Sequence, residues 1–251
     1  ELKSDLDKML DGEKIETNKF MCKTLKEVNE GCAMITEWVY QKCIDQLNKG
    51  KKVGLLGGDH SIAFGFIKAL AEKHENFGIL QIDAHCDLRK SYEGLDHSHG
   101  SIMYNVLNSF PNVTKLIQLG IRDYCEAEWN YICDSEYRVI TYLERGIRER
   151  QFEGTTWAQL SDEIINQLPQ NVYISYDIDG LDPKLCPHTG TPVPGGFEME
   201  QLSYLFKKIL TSGRKIIGFD LSETGTSKNG WDENVGARVL FKMCNLMLSD
   251  N

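Results

Sequence analysis

The chain has 251 residues, 41% of them apolar, which is enough for one large α/β domain or two small ones. Its net charge of −9 and pI near 5.2 argue against a nucleic-acid partner and are compatible with a small cationic substrate. No apolar run reaches the about 18 residues that a membrane-spanning helix needs, so no membrane partner is expected. The eight cysteines, at 22, 32, 43, 86, 125, 133, 186 and 244, are scattered and form no CxxC pair. Such usage fits reduced thiols and a cytoplasmic location rather than a disulfide framework. No secretory signal is visible. The first residue is Glu1 and not Met, as expected of a piece of a longer product.

Residues 17–47 place Met21, Leu25, Val28, Cys32, Ile35, Val39, Cys43 and Leu47 at steps of three and four, which predicts a long amphipathic helix. Gly50, among lysines, is its stop. "KVGLLGG" reads as a short buried strand, "SIAFGFIKALAEKH" as a helix and "FGILQID" as a second buried strand. The alternation continues with "SIMYNVLNSF" (helix), "KLIQLGI" and "RVITY" (strands), and "WAQLSDEIINQL", a helix opened by Thr155 or Thr156. It ends with the strand "NVYISYDID", the helix "MEQLSYLFKKILTS", the strand "RKIIGFDLSE" and the helix "ENVGARVLFKMCNLML". Short apolar strands alternating with amphipathic helices predict βα units, and hence a mostly parallel sheet covered on both faces in a three-layer αβα sandwich. No linker, repeat or low-complexity stretch breaks the pattern, so residues 1–251 are expected to form a single domain.

In parallel sheets ligands bind beyond the carboxyl ends of the strands. Three strands here end in unusual polar sets: Asp59 and His60 in "GGDHS", Asp83, His85 and Asp87 in "DAHCD", and Asp177 and Asp179 in "DIDGLDP". Residues i and i+2 of a strand share a face, about 6.5–7 Å apart. Asp83, His85 and Asp87 therefore aim one way if the strand persists, and Asp177 and Asp179 form a second pair. A lone strand-end Asp usually caps a turn. Two period-two sets plus a third strand-end histidine are hard to obtain by capping alone.

Together with His60, the set contains four carboxylates and two imidazoles. Four carboxylates meeting in a cleft repel one another, and divalent cations remove that conflict. Two cations balance the charge better than one, because carboxylates can bridge. The oxygen-rich donor set suits manganese over zinc, with Zn, Co or Fe as substitutes. Cys86 has the opposite parity and reads as a small core residue behind the site.

"GGDHS" (57–61), "DAHCD" (83–87) and "SYDIDGLDP" (175–183), in this order on a βα frame, resemble the motifs of the ureohydrolases, the family of arginase, agmatinase and formimidoylglutamase. "TGTPVPGG" (189–196) is similar to the loop that follows in that family. The likeness runs from about Val53 to the C-terminus, and it implies an arginase-like fold with two Mn²⁺ per chain. One ion would be held by His60, Asp83, Asp87 and Asp177, the other by His85, Asp83, Asp177 and Asp179, with Asp83 and Asp177 bridging. His99, in "HSHGS", matches the family's His-Gly and would pass a proton to the leaving amine; His97 is its rival. Glu223, in "FDLSE", would hold the guanidinium, although "ETGTS" departs from the family's continuation. Family members are often trimers or hexamers, so a homo-oligomer is implied. They also have an earlier strand, for which residues 1–16 are no match; these are expected to be a charged helix or linker.

By the same resemblance the reaction is hydrolysis of a C–N bond in a linear guanidino or amidine substrate. Agmatine, giving putrescine and urea, is the first candidate, with formimidoylglutamase or arginase activity as the alternative. Arg89 stands where arginase has Asn, and "DLR" is similar to formimidoylglutamase. It would pair with a substrate carboxylate or structurally with Glu93 or another acid. From other classes, a metal-dependent deacetylase and a non-catalytic metal-binding member of the fold stay open.

Overall fold

The structure is a computed structural model, and it describes residues 19–92 and 94–249. The expectation for residues 1–16, and the proposed partner Glu93, lie outside the described residues. Six strands form one sheet: β1 (Gly54–Leu56), β2 (Phe77–Ile82), β3 (Val113–Ile121), β4 (Val139–Leu143), β5 (Asn171–Asp177) and β6 (Lys215–Ser222). Their order is β1-β6-β5-β2-β3-β4, and every pairing is parallel. All carboxyl ends therefore lie along one edge of the sheet. The chain runs from β2 to β3 and β4 towards one side, and from β5 to β6 towards the other. The crevice expected where strand order reverses thus opens between β2 and β5.

Helices cover both faces. On one face are α1 (Lys19–Asn48), α2 (Ala63–Lys73) and α3 (Ile102–Ser109), packed on Phe77, Ile79, Leu116 and Tyr173 of the sheet. The short α4 (Glu126–Asp134) adds Tyr131 and Ile132 to that layer. On the other face α5 (Glu144–Phe152), α6 (Trp157–Gln167), α7 (Met199–Thr211) and α8 (Trp231–Leu248) pack on Leu80, Ile82, Ile117, Ile174 and Leu221. Alternate residues of β2 serve opposite layers, so the three-layer αβα sandwich follows from the pleat. Thr156 caps α6, its hydroxyl accepting a hydrogen bond from the Gln159 N–H.

Several details differ from the sequence expectation. β1 is not buried: it pairs only with β6, at the sheet edge, and Leu56 is 58% exposed. The long helix α1 forms, but Ile35 is exposed, and its buried apolar residues, Val39, Cys43 and Ile44, all lie in the C-terminal half. Its 30 residues far exceed the 11 of α2, against which it packs, and its N-terminal part meets the 94–96 loop instead, through Asn29 hydrogen bonds with Gly94 O and the Asp96 N–H. Gly65 of α2 permits that packing; a Cβ there would meet Thr36 O at 2.4 Å. Two helices, α4 and α5, have no counterpart in the sequence reading. Both are nine residues long and charged, and each buries one side chain, Glu128 or Ile147, so neither shows an apolar stripe.

Strand geometry also stops earlier than the period-two expectation requires. β2 ends at Ile82, before Asp83, and Asp87 has φ 54°. β5 ends at Asp177, and Ile178–Gly180 form a 3-10 turn. Loop geometry, not a continued pleat, sets the directions of these side chains. Gly180 lets the turn after β5 lie against the end of β2: a Cβ there would stand 2.8 Å from Asp83 N and 3.0 Å from Ile82 C. Gly180→Ala is therefore expected to lower stability by about 1–3 kcal/mol, measured by urea unfolding, and to part the two loops. Unchanged stability would contradict this close approach.

Candidate metal centre

Asp83, just past β2, and Asp177, at the end of β5, are the two carboxylates at the crevice. His60 reaches them from the 3-10 turn after β1, His60–Ile62. Its Nδ1 lies 3.0 Å from Asp87 Oδ2, 3.4 Å from Asp83 Oδ2 and 3.5 Å from Asp177 Oδ2. His85 Nδ1 lies 3.0 Å from Asp179 Oδ2 and 3.5 Å from Asp83 Oδ1. All six residues predicted from the three motifs thus meet in one place. Asp83 belongs to both groups, with one oxygen towards each imidazole. His60, Asp83, Asp87, Asp177 and Asp179 are buried, and only His85 is partly exposed.

The donor chemistry fits cations. His60 Nδ1 is fully buried and has no hydrogen-bond partner among the described residues, although three carboxylates surround it. Its other nitrogen, Nε2, is held 2.8 Å from Ser175 Oγ and 3.6 Å from Asp220 Oδ1. One ring nitrogen fixed from behind and the other left facing carboxylates is the arrangement of a metal-ligating imidazole. The capping and ligating readings of the aspartates also coexist. Asp177 Oδ1 accepts from the Asp179 N–H at 2.9 Å, while Oδ2 faces His60.

Electrostatics carries the same message. Burial alone would lower the His85 pKa, but Asp179 and Asp83 outweigh it and push the ring up to about 11. His60 is likewise raised despite burial, through Asp83, Asp87 and Asp220. Burial and the charge of Asp83 push Asp87 up to about 7. Burial, with Asp179 and Asp83, raises Asp177 well above the usual carboxylate range. Without metal, the site holds protons to relieve its own repulsion.

Beneath these side chains runs a polar row that the sequence reading missed. Asp220, Ser175, Gln81, Gln118 and Thr141 are register partners across β6, β5, β2, β3 and β4. Thr141 donates to Gln118 Oε1 (2.7 Å), Gln118 to Gln81 Oε1 (2.7 Å) and Gln81 to Asp83 Oδ2 (2.8 Å). At the other end Tyr173 donates to Asp220 Oδ2 at 2.6 Å. The available signal was a polar residue amid apolar neighbours in each of three strands, Gln81 in "ILQI", Gln118 in "LIQLGI" and Asp220 in "GFDLS". Arg122 was also missed. Its guanidinium donates to Gly120 O, Asp179 O, Leu181 O and Val193 O, tying the loop 189–196 to the turn that bears Asp179. Cys86 is fully buried, as the parity predicted.

Of the two histidines in "HSHGS", His99 lines the cleft, with His85, Asp87, Arg89 and Thr191. His97 turns instead towards α1 and stands edge-on to Phe64. The hydrogen bond from His99 to Asp59 (3.3 Å) raises the imidazole above its ordinary pKa, with burial opposing. Glu223 follows β6 with φ 61°, a conformation uncommon for a residue with a long side chain. Its Oε1 accepts from the His60 N–H (2.8 Å) and its own N–H donates to Gly58 O (2.8 Å). Burial pushes its pKa up. Arg89 lies over the Tyr92 ring, 5.1 Å to its centroid, with Nε 3.8 Å from Glu128. The Glu128 carboxylate already accepts from the Leu88 and Cys125 N–H groups, and the Arg89 guanidinium, at ion-pair distance from it, donates no hydrogen bond to a described residue.

The model of the Arginase family matches residues 7–244. The chain belongs to the arginase family. It is 31% identical over 204 residues to N(1)-aminopropylagmatine ureohydrolase of Thermus thermophilus, covering 81% of this chain and 65% of the relative. It is 32% identical over 225 residues to the mitochondrial agmatinase of Gallus gallus, covering 87% and 62%. The chain thus spans less than two thirds of these relatives. The arginase-family fold is seen in the agmatine ureohydrolase of Thermoplasma volcanium (TM-score 0.72, 24% identity, 86% of this chain, 69% of that one). It recurs in arginase from Bacillus cereus (TM-score 0.72, 23% identity, 84% and 77%).

Ligands must be deprotonated to bind metal, so loading this arginase-family site is expected to release protons from His60 and His85. Affinity for Mn²⁺ should fall as pH falls. Titration calorimetry at pH 7 in two buffers of different ionisation heat checks this: the apparent heats should differ, and equal heats would contradict the protonated metal-free site.

Proposed function

We propose that this chain is the hydrolytic part of a binuclear manganese ureohydrolase, cleaving a C–N bond of a linear guanidino or amidine compound. The observation that carries the proposal is Asp83 shared between the His60 and His85 groups. His60, Asp83, Asp87 and Asp177 would hold one ion and His85, Asp83, Asp177 and Asp179 the other. A pair of divalent cations acidifies water, so that a hydroxide nucleophile is available near neutral pH.

The chain's own groups supply the remainder. Glu223 presents a carboxylate to the guanidinium. Because Oε1 already accepts from His60, Oε2 is the oxygen left for the substrate, and the same hydrogen bond sets its distance from the metal ligands. His99 gives a proton to the departing amine; a histidine suits this because its ordinary pKa is near 6.5 (about 6.5 in model peptides). Thr191, whose hydroxyl is 3.3 Å from Asp179 Oδ2, narrows the rim.

Agmatine, giving putrescine and urea, is the first candidate, supported by the names of the relatives. One observation favours a second reading, a substrate with a distal carboxylate: the Arg89 guanidinium lines the cleft, and beyond its ion pair with Glu128 and its place over Tyr92 it donates no hydrogen bond to a described residue. Proclavaminate amidinohydrolase and guanidinobutyrase are also among the similar proteins. A cytoplasmic homo-oligomer belongs to the same proposal, by likeness to the family.

Assays with agmatine, arginine and formimidoylglutamate, each with Mn²⁺, test the substrate. Urea release from agmatine supports the first reading. Turnover of formimidoylglutamate alone, lost in Arg89→Ala, overturns it. His99→Ala is expected to keep both metals and to slow turnover by about 10²–10⁴-fold; loss of metal would remove the proton-donor role. A single bound metal after full loading would favour a deacetylase-like site instead.

A further inference from the structure

Asp59 sits beside His60 but points away from the six metal-site residues. One oxygen, Oδ1, accepts from the Ser61 N–H at 2.8 Å and caps the turn His60–Ile62. That bond fixes the carboxylate, and the other oxygen, Oδ2, meets His99 Nδ1 at 3.3 Å. Tyr92 stands edge-on to the same imidazole, with ring centroids 5.5 Å apart. Asp59, His99 and Glu223 cluster closely enough for one polar atom of each to lie within 4.8 Å of the others. His99 is therefore held at Nδ1 and flanked by Tyr92 where it lines the cleft, and no described residue hydrogen-bonds its Nε2.

The geometry points to Asp59 as a positioning residue for His99: it fixes the ring and its tautomer so that Nε2 serves the departing amine. The inference rests on the proton-donor reading of His99. Both partners are about half exposed, their side chains 42% and 49% accessible, and such a pair adds little to stability. Its consequence is orientation. A neutral histidine carries its proton on one nitrogen only, and the partner of the other nitrogen decides which. A carboxylate can only accept, so Asp59 requires the proton on Nδ1. Nε2 is then the nitrogen that takes up and gives the second proton.

The same short segment serves three groups at once. The Asp59 side chain sets His99, the His60 ring faces the carboxylates, and the His60 N–H holds Glu223. Proton donor, metal site and substrate carboxylate are in this way set relative to one another by two consecutive residues.

Asp59→Asn keeps the cap through its amide oxygen but turns an N–H donor towards Nδ1, which forces the opposite tautomer. Asp59→Ser keeps a capping oxygen and is too short to reach His99. With ¹⁵N-labelled histidine, and His99→Ala to assign the signals, NMR of the native protein above the His99 pKa should show the proton on Nδ1. It should move to Nε2 in Asp59→Asn. Kinetically, both variants should lose about 10–100-fold in kcat, a part of what general acid catalysis supplies, with KM and metal content unchanged. Neither should cause further loss in a His99→Ala background.

A native Nε2–H tautomer would overturn the inference. So would losses that multiply with His99→Ala, or departure of metal from the Asp59 variants. If the protein turns over no guanidino or amidine compound, the proton-donor reading falls, while the tautomer measurement still decides whether Asp59 holds His99.

Discussion

Four carboxylates and two imidazoles crowd the crevice between β2 and β5, and nearly all are out of contact with water. Like charges at this range, desolvated, cannot all stay ionised. Their mutual charge and burial push the His60 and His85 imidazoles and the Asp87 carboxyl up, towards forms that relieve the crowding. Cations would answer it more completely, because each could replace protons with coordinate bonds to several oxygens at once. The His60 Nδ1, buried without a hydrogen bond among three carboxylates, is the candidate donor for such a cation.

The rest of the architecture keeps that cluster from relaxing. Parallel strands deliver their carboxyl ends to one edge, and the reversal of strand order places the β2 and β5 loops face to face. Gly180 removes the side chain that would part those loops. Arg122 ties the turn bearing Asp179 to the loop 189–196 through backbone carbonyls. One layer down, the row from Asp220 to Thr141 gives Asp83 and His60 polar partners in an otherwise apolar sheet. Local strain is accepted at two site residues, Asp87 and Glu223, both with positive φ. Such conformations persist where surrounding contacts over-determine them, and for Glu223 those contacts are bonds to Gly58, His60 and Thr189.

Much of this was legible in the sequence, because periodicity and residue chemistry are local. The alternation of short apolar strands with amphipathic helices gave the layers, and polar sets at strand ends gave the cluster. What failed was what depends on neighbours. β1 reads as buried because its residues are apolar, yet its place at the sheet edge is a property of topology. Ile35 obeys the helical period, yet no described helix covers it. The period-two rule picked residues that do converge although the strands end too soon, because turns capped by Asp59 and Asp177 redirect the chain towards the same point. Gln81 and Gln118 were invisible as a pair, since only the β2–β3 register sets them side by side. His97 and His99 could not be separated by spacing; packing against Phe64 removes one and the cleft takes the other.

The most direct check on a shared two-cation site is anomalous diffraction from crystals of this chain soaked in Mn²⁺. Two peaks about 3.5–4 Å apart, one beside His60 and one beside His85 with Asp83 between them, are the predicted result. A single peak, or none among these side chains after full soaking, would contradict it.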